Sequence, residues 1–182
     1  MPFELQPRLS GELLALRPLT GEDFDALYAV AADPLIWEQH PQPDRYQEAV
    51  FRGFFRDALA SGGALVAIDN RSGAVIGSSR FNAYDETARE IEIGWTFLAR
   101  SHWGGAHNRE MKRLMLTHAA RFVERVLFVV GSHNRRSQRA VEKLGGVQSG
   151  SRHHADGKED VIYTLALADY FGALPATLQR HG

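Results

Sequence analysis

The sequence predicts a mixed α/β fold with a mainly antiparallel central sheet flanked by helices. Short apolar or alternating runs separated by brief polar turns follow one another mid-chain, which favours a meander over crossover units. Segments with apolar residues three and four apart stand on both sides of that run. Glycine pairs, Gly62-Gly63, Gly104-Gly105 and Gly145-Gly146, fall where a helix should stop or start.

Taken in order, Leu13-Leu14-Ala15-Leu16 reads as a strand that Arg17-Pro18 ends. Thr20 and Asp23 have capping-box spacing, and Phe24, Leu27, Val30 and Ala31 follow at helical intervals. Pro34, Pro41 and Pro43 then break the chain. A second helix is expected over residues 46–59, with Ala49 or Val50, Phe54 and Ala58 or Leu59 along one side. Three strands follow, at residues 64–69, 75–82 and 89–98, joined by short turns at 70–73 and 83–88. Met111, Leu114/Met115, His118/Ala119 and Phe122 then predict a helix of about four turns. Residues 126–130 are continuously apolar, as expected of a strand covered on both faces. Residues 134–144 are helical again, with Ser137, Ala140/Val141 and Leu144 on one face. A closing hairpin pairs 147–152 with 161–168 around the polar tip 153–160, and the last dozen residues are peripheral.

The 182 residues fit one domain, residues 1–182 with a core over about 11–168, and no linker divides them. An apolar content of 44% supports a packed core, and a net charge of −1 recommends no nucleic-acid partner. The absence of cysteine excludes disulfides, thiol nucleophiles and thiolate-bound metals. Residues 1–5 include Glu4 and no long apolar run, and nowhere do 18 apolar residues follow one another. A soluble, cytoplasmic protein without a membrane partner is expected.

The segment with most chemistry runs from Phe97 to Asn108, F-L-A-R-S-H-W-G-G-A-H-N, between a strand and a long helix. Such a turn aims unpaired N–H groups and the positive helix end at a pyrophosphate. Gly104, Gly105 and Ala106 let phosphates approach the main chain, and His102, His107 and Asn108 add side-chain donors. The competing reading is a helix-starting turn with Trp103 packed on the core. No Gly-Lys-Ser/Thr ending and no G-x-G-x-x-G fingerprint is present.

Strand, Ser101-x-x-Gly104-x-Ala106, long helix, strand, then Asn134-x-x-Ser137 and Lys143-Leu144-Gly145, resembles the GNAT superfamily of acyl-CoA-dependent N-acyltransferases. Within it, the chain is similar to the branch that acetylates protein N-terminal amines, the ribosomal-protein acetyltransferases. Ser101 departs from the Arg or Gln usual in the family, whereas Ala106 is an accepted substitute for its last Gly. The resemblance implies a GNAT fold and an acetyl-CoA co-substrate. Residues 91–98 would splay from 127–130, with the pantetheine arm in the gap. Main-chain groups of Trp95, Phe97 and Leu98 would pair with the arm, the Ser101–Asn108 segment would hold the pyrophosphate through Gly104 to Asn108, and the Asn134 side chain would meet the arm. A plain helix N-cap is the alternative for Asn134.

Transfer to an amine needs that amine deprotonated, the carbonyl polarised and the thiolate served. Alternation puts Glu90, Glu92, Gly94 and Thr96 on one face of their strand, and Ile91, Ile93, Trp95 and Phe97 on the other. Glu92 matches the glutamate that often precedes Ile-Gly in the family and is the candidate base; a solvated sheet face is the plainer reading of the pair. The family tyrosine before Glu142-Lys143-Leu144-Gly145 is replaced by Val141. Ser137 matches the serine that serves the thiolate in the N-terminal acetyltransferase branch, Tyr163 is a weaker alternative, and His118 reads as a packing residue. The acceptor side would draw on Asp33, Trp37, Glu38, His40, Tyr84, Asp85, Glu86, His153, His154 and Asp156, where acidic groups suit a cationic amine or peptide N-terminus. No metal is expected, His153-His154-x-Asp156 being an exposed loop tip. The rival functions are acetylation of a polyamine, aminoglycoside or amino acid, and acyl-CoA binding without catalysis. The expected state is a monomer or homodimer.

Overall fold

The computed structural model describes residues 2–173. Two short strands, β1 (Leu9–Ser10) and β2 (Leu14–Pro18), lead into helices α1 (Phe24–Ala31), α2 (Pro34–Trp37) and α3 (Glu48–Ser61). Strands β3 (Ala64–Asp69), β4 (Val75–Asp85) and β5 (Glu90–Leu98) form the expected meander. Helix α4 (Ala106–Ala119), strand β6 (Arg125–Gly131), helix α5 (Arg135–Lys143), the hairpin β7 (Val147–His153) and β8 (Glu159–Ala166), and helix α6 (Leu167–Ala173) complete it. The described strands form one sheet ordered β1-β2-β3-β4-β5-β6-β8-β7, antiparallel except where β5 meets β6. It is the mixed, mainly antiparallel α/β sheet that the sequence predicts.

Several boundaries differ from expectation for local reasons. Pro34 does not break the chain but opens α2, where its missing N–H costs nothing, and the Asp33 carboxylate accepts from Leu35 N–H at 3.0 Å. The expected Thr20–Asp23 capping contact does form before α1: the Asp23 carboxylate accepts from Thr20 N–H at 2.8 Å and also pairs with Arg17. The first strand continues through Arg17-Pro18 because both pair with β3. Its partner β1 is too short for a periodic signal. The last strand stops at Ala166: Leu167 starts α6 instead, is buried, and donates its N–H to Glu124 C=O at 2.9 Å. Of the last dozen residues, 171–173 belong to α6 and the remainder lie outside the described residues. Strand β6 is not covered evenly on both faces, since Val126, Phe128 and Val130 are buried while Leu127 and Val129 are half-buried.

The sheet separates two apolar clusters. One packs α4 against it through Met111, Met115 and Leu116, with Leu65, Phe81, Ile91, Ile93 and Phe128. The other gathers Leu27, Trp37, Phe51, Phe54 and Phe97 beneath α1–α3. Trp37 stands 5.0 Å from Phe97 ring to ring and donates Nε1–H to Ala31 C=O at 2.8 Å. These rings fix the far half of β5 to the helical layer, each such pair adding about 0.5–1.5 kcal/mol beyond its buried area.

Helix α4 is also tethered by a carboxylate. Glu110 accepts from the N–H groups of Glu12, Leu13 and Leu14 at 2.9, 2.7 and 3.0 Å. Glu110→Ala should lower the unfolding free energy by about 2–3 kcal/mol in urea, because N–H groups satisfied by a charged acceptor lose it. Glu110→Gln, which keeps one acceptor oxygen, should lose less.

Candidate active site

Strands β5 and β6 pair for three residues, Glu90 with Arg125, Ile91 with Val126 and Glu92 with Leu127, and then part. Among the described residues the β5 backbone beyond Glu92 has no strand partner on that side. The break coincides with a bulge against β4 between the Arg80–Gly94 and Ser78–Phe97 pairs, where Trp95 has φ +51°. A cleft of about 1410 Å³ opens from this gap. It is lined by the far half of β5, Gly104-Gly105, the first turns of α4, the end of β6 and the face of α5.

The bulge overturns the expected strand faces. Ile91 and Ile93 do point to the α4 cluster, but Phe97 joins the cluster under α1–α3, Trp95 packs against that same cluster, and Leu98 returns to the α4 side. Thr96 therefore leaves the face of Glu90 and Glu92, and its Oγ1 meets Lys112 Nζ of α4 at 2.6 Å. An extra residue in one strand reverses alternation beyond it.

At the cleft mouth Gly104 and Gly105 have φ +89° and +148°, values that favour glycine. Among the described residues no hydrogen-bond acceptor is found for the N–H groups of Gly104, Gly105, Ala106, His107 or Asn108. Trp103 donates Nε1–H to Leu98 C=O at 2.9 Å, and the Arg136 guanidinium lies 4.1 Å above its ring. Trp103, Gly104, Gly105 and Asn108 line the cleft, as do Trp95, Phe97 and Leu98. Ser101, His102, Ala106 and His107 are not on its walls. Ser101 borders a separate shallow recess with Asp33, while His102 and His107 turn towards Asp69 at the end of β3. Hydrogen bonds from Ser72 hold the Asp69 carboxyl down at about 2.

Glu90 and Glu92 have different surroundings. Glu90 is half-buried beside Arg125, 3.5 Å away. Glu92 is 7% exposed, lines the cleft, and has its carboxyl pushed up by burial, against the pull of Arg152. Asn134 caps α5, its Oδ1 accepting from Ser137 N–H at 3.2 Å, and it is buried in the cleft wall. Ser137 lines the same wall, half-buried. Tyr163 is off the walls and donates its hydroxyl to Glu142 at 3.0 Å, which removes it as a proton source for the cleft. His118 packs among Phe3, Phe81 and Phe122, with Nε2 2.8 Å from Glu4 C=O.

Two buried cations were not singled out in the sequence. Lys112 is 7% exposed and lines the cleft; its Nζ has Thr96 for a partner and the Phe128 ring 5.5 Å away, and burial lowers its pKa to about 7. Its signal was the spacing to Leu116 and Ala119, four and seven residues on, both buried. Arg80 is 6% exposed and stacked 4.4 Å over Trp95, its Nε buried without a hydrogen-bond partner among the described residues.

The acceptor-side residues divide as well. Trp37 and His40 border the cleft with Arg45, and so do Arg152, His154, Asp156, Lys158 and Asp160. Asp33, Glu38, Tyr84, Asp85, Glu86 and His153 do not. Asp33 is bound to Arg100, Tyr84 packs 5.5 Å from Phe3, and Asp85 caps its own turn through Ala88 N–H at 2.8 Å. Burial beside Arg45 and Arg136 lowers the His40 pKa to about 3, so its ring is neutral across physiological pH. Arg109, Arg135, Arg136, Arg139 and Lys143 add cationic lining from α4 and α5. Free N–H groups, left-handed glycines, an unpaired strand edge and these cations suit a ligand with a pyrophosphate and an amide-bearing arm.

A family model described as the acetyltransferase (GNAT) domain matches residues 14–147. The chain belongs to this family. No curated protein matches it in sequence. A crystal structure provisionally assigned as an acetyltransferase is 30% identical, with a TM-score of 0.76 over 91% of this chain and 89% of its own. Mycobacterium smegmatis RimJ in complex with CoA-disulfide is similar at 17% identity and TM-score 0.64, covering 92% of this chain and 93% of that one. Spermidine N-acetyltransferase from Vibrio cholerae, with CoA and spermine, is similar at 15% and 0.67, covering 88% and 99%. The latter two share the fold. Family membership carries acetyl-CoA-dependent transfer to an amine acceptor, without choosing the amine.

Lys112 generates a direct prediction. Its lysine Cε resonance should titrate near pH 7, cationic below and neutral above, and vanish in Lys112→Met. A midpoint above pH 9 would place the ammonium in water instead.

Proposed function

We propose that this GNAT enzyme acetylates the N-terminal amine of a protein or peptide, as in the ribosomal-protein branch, with acetyl-CoA held by main-chain groups of Trp95, Phe97, Leu98 and Gly104 to Asn108 and by Asn134. The observation that carries the choice of acceptor is the charge of the cleft wall. The side away from the glycine loop carries Arg45 and Arg152, neither of them ion-paired among the described residues, while its Asp156 and Asp160 are already engaged by Lys158 and His154 at 3.3 and 2.7 Å. The unpaired guanidiniums favour an acidic group over a polyamine. A peptide carrying Asp or Glu behind its first residue meets favourable charge there. The spermidine enzyme, which was solved with spermine, shows that the same fold serves polyamines. The small-amine alternative therefore stays in the test.

Acetyl-CoA supplies an electrophilic thioester carbonyl and a thiolate leaving group. Glu92, buried beside the gap, takes a proton from the entering ammonium through a water. Its raised pKa brings it closer to that task than an exposed glutamate. Ser137, on the facing helix, donates a hydrogen bond from its Oγ–H to the departing thiolate, which takes up the proton that the attacking amine loses. Lys112, poised near neutrality, is a further proton carrier in the same gap. We further infer that residues 11–168 act as one unit in the cytoplasm, as monomer or homodimer.

A thiol-release screen with acetyl-CoA should find acidic-start peptides turned over in preference to basic-start peptides, polyamines, aminoglycosides and free amino acids. A spermidine preference would overturn the acceptor assignment. Glu92→Gln should lower kcat by about 100-fold, in the range for a lost general base. Because the base acts when ionised, the wild-type rate should rise with pH through the raised Glu92 pKa, and that limb should disappear in the variant. An unaltered pH profile removes Glu92. Ser137→Ala should lower kcat with acetyl-CoA affinity and folding retained; activity within twofold of wild type at all pH values removes the serine.

A further inference from the structure

Asp69, His102 and His107 converge outside the cleft, from the end of β3, the turn before the glycine loop and the first turn of α4. Asp69 Oδ1 is 3.2 Å from His107 Nε2 and 3.9 Å from His102 Nε2, and one ligating atom from each residue lies within 4.8 Å of the others. The two imidazoles are perpendicular, with centroids 4.6 Å apart. A simple carboxylate–histidine hydrogen bond accounts for His107. It does not account for His102, whose distance exceeds hydrogen-bond reach.

Outer contacts orient two of these groups. Ser72 donates its N–H and Oγ–H to Asp69 Oδ2 at 2.9 and 2.7 Å, leaving Oδ1 to face both rings. His102 Nδ1 is 2.9 Å from Ser101 Oγ; with the ring proton there, the Nε2 lone pair points inward. Metal-binding imidazoles and carboxylates are commonly held by such partners. We propose that Asp69, His102 and His107 form a binding site for a first-row divalent cation, with zinc the best match to two imidazoles and one carboxylate. Around zinc with bonds of about 2.0–2.1 Å, tetrahedral ligands stand about 3.3 Å apart, so His102 must approach Asp69 by roughly half an ångström. Three protein ligands leave a fourth position for water. The ion joins the end of β3 to both ends of the glycine loop, a role that does not depend on which amine is acetylated.

The test is titration of chelator-treated, full-length chain with zinc by calorimetry, followed by metal analysis. One zinc per chain is expected. His102→Gln and His107→Gln should each weaken binding tenfold or more, as loss of one ligand does. His153→Gln, on the exposed hairpin tip, should leave it unchanged. Zinc should raise the melting temperature of the wild-type chain and of neither ligand variant. Cobalt should give a visible ligand-field spectrum in the wild type that both ligand variants lose. Circular dichroism checks folding, and His102, which precedes α4 and lies outside it, serves if His107→Gln proves unstable. Undiminished zinc affinity in the ligand variants, or no saturable one-to-one binding by the wild type, overturns the proposal.

Discussion

Three parallel pairs join β5 to β6, and the conformation of Trp95 stands just beyond the last of them. Beyond it Phe97 locks into the aromatic layer of Trp37, Phe51 and Phe54, drawing the far half of β5 towards α1–α3. Strand β6 follows β8 instead, with seven paired residues. The cleft is the space between two strands held by different partners. Its volume, unpaired strand edge and access from Gly104 to Asn134 all follow from that divergence.

Electrostatics inside the gap depend on the same break. Because alternation reverses at the bulge, Glu92 and Thr96 face different layers, and Thr96 becomes the partner of Lys112. A carboxylate and an ammonium thus line one cleft while belonging to separate environments. Burial acts on the two in opposite directions, pushing Glu92 up and Lys112 down, so each group moves towards neutrality from its own side. Two groups whose proton affinities are drawn together suit a reaction that removes one proton and returns another.

The element order was legible because period and punctuation agreed. Strand β3 runs over Ala64–Asp69 as expected, and Gly62 at φ +65° closes α3 where the glycine pair stood. Errors gathered where local and tertiary signals conflicted. Pro34 reads as a breaker and acts as a first helical residue, and Leu167 extends an apolar strand pattern yet docks as helix. At the loop, glycine torsions and small side chains were legible, but the directions of His102 and His107 were not. Their orientation depends on Asp69, which is distant in sequence.

Composition and periodicity determined the α/β class, and the ordered motifs, a glycine loop before the long helix with Asn134 and Ser137 opening the next, carried the resemblance to the acetyltransferases. Tertiary structure alone decided which carboxylate is buried, that Lys112 shares the cleft, that Arg45 and Arg152 stand on its outer wall, and that Asp69 meets two histidines. The physical reason is range. Helix and strand periods act between residues a few positions apart, whereas desolvation and charge pairing are set by whatever the sheet brings together from remote parts of the chain.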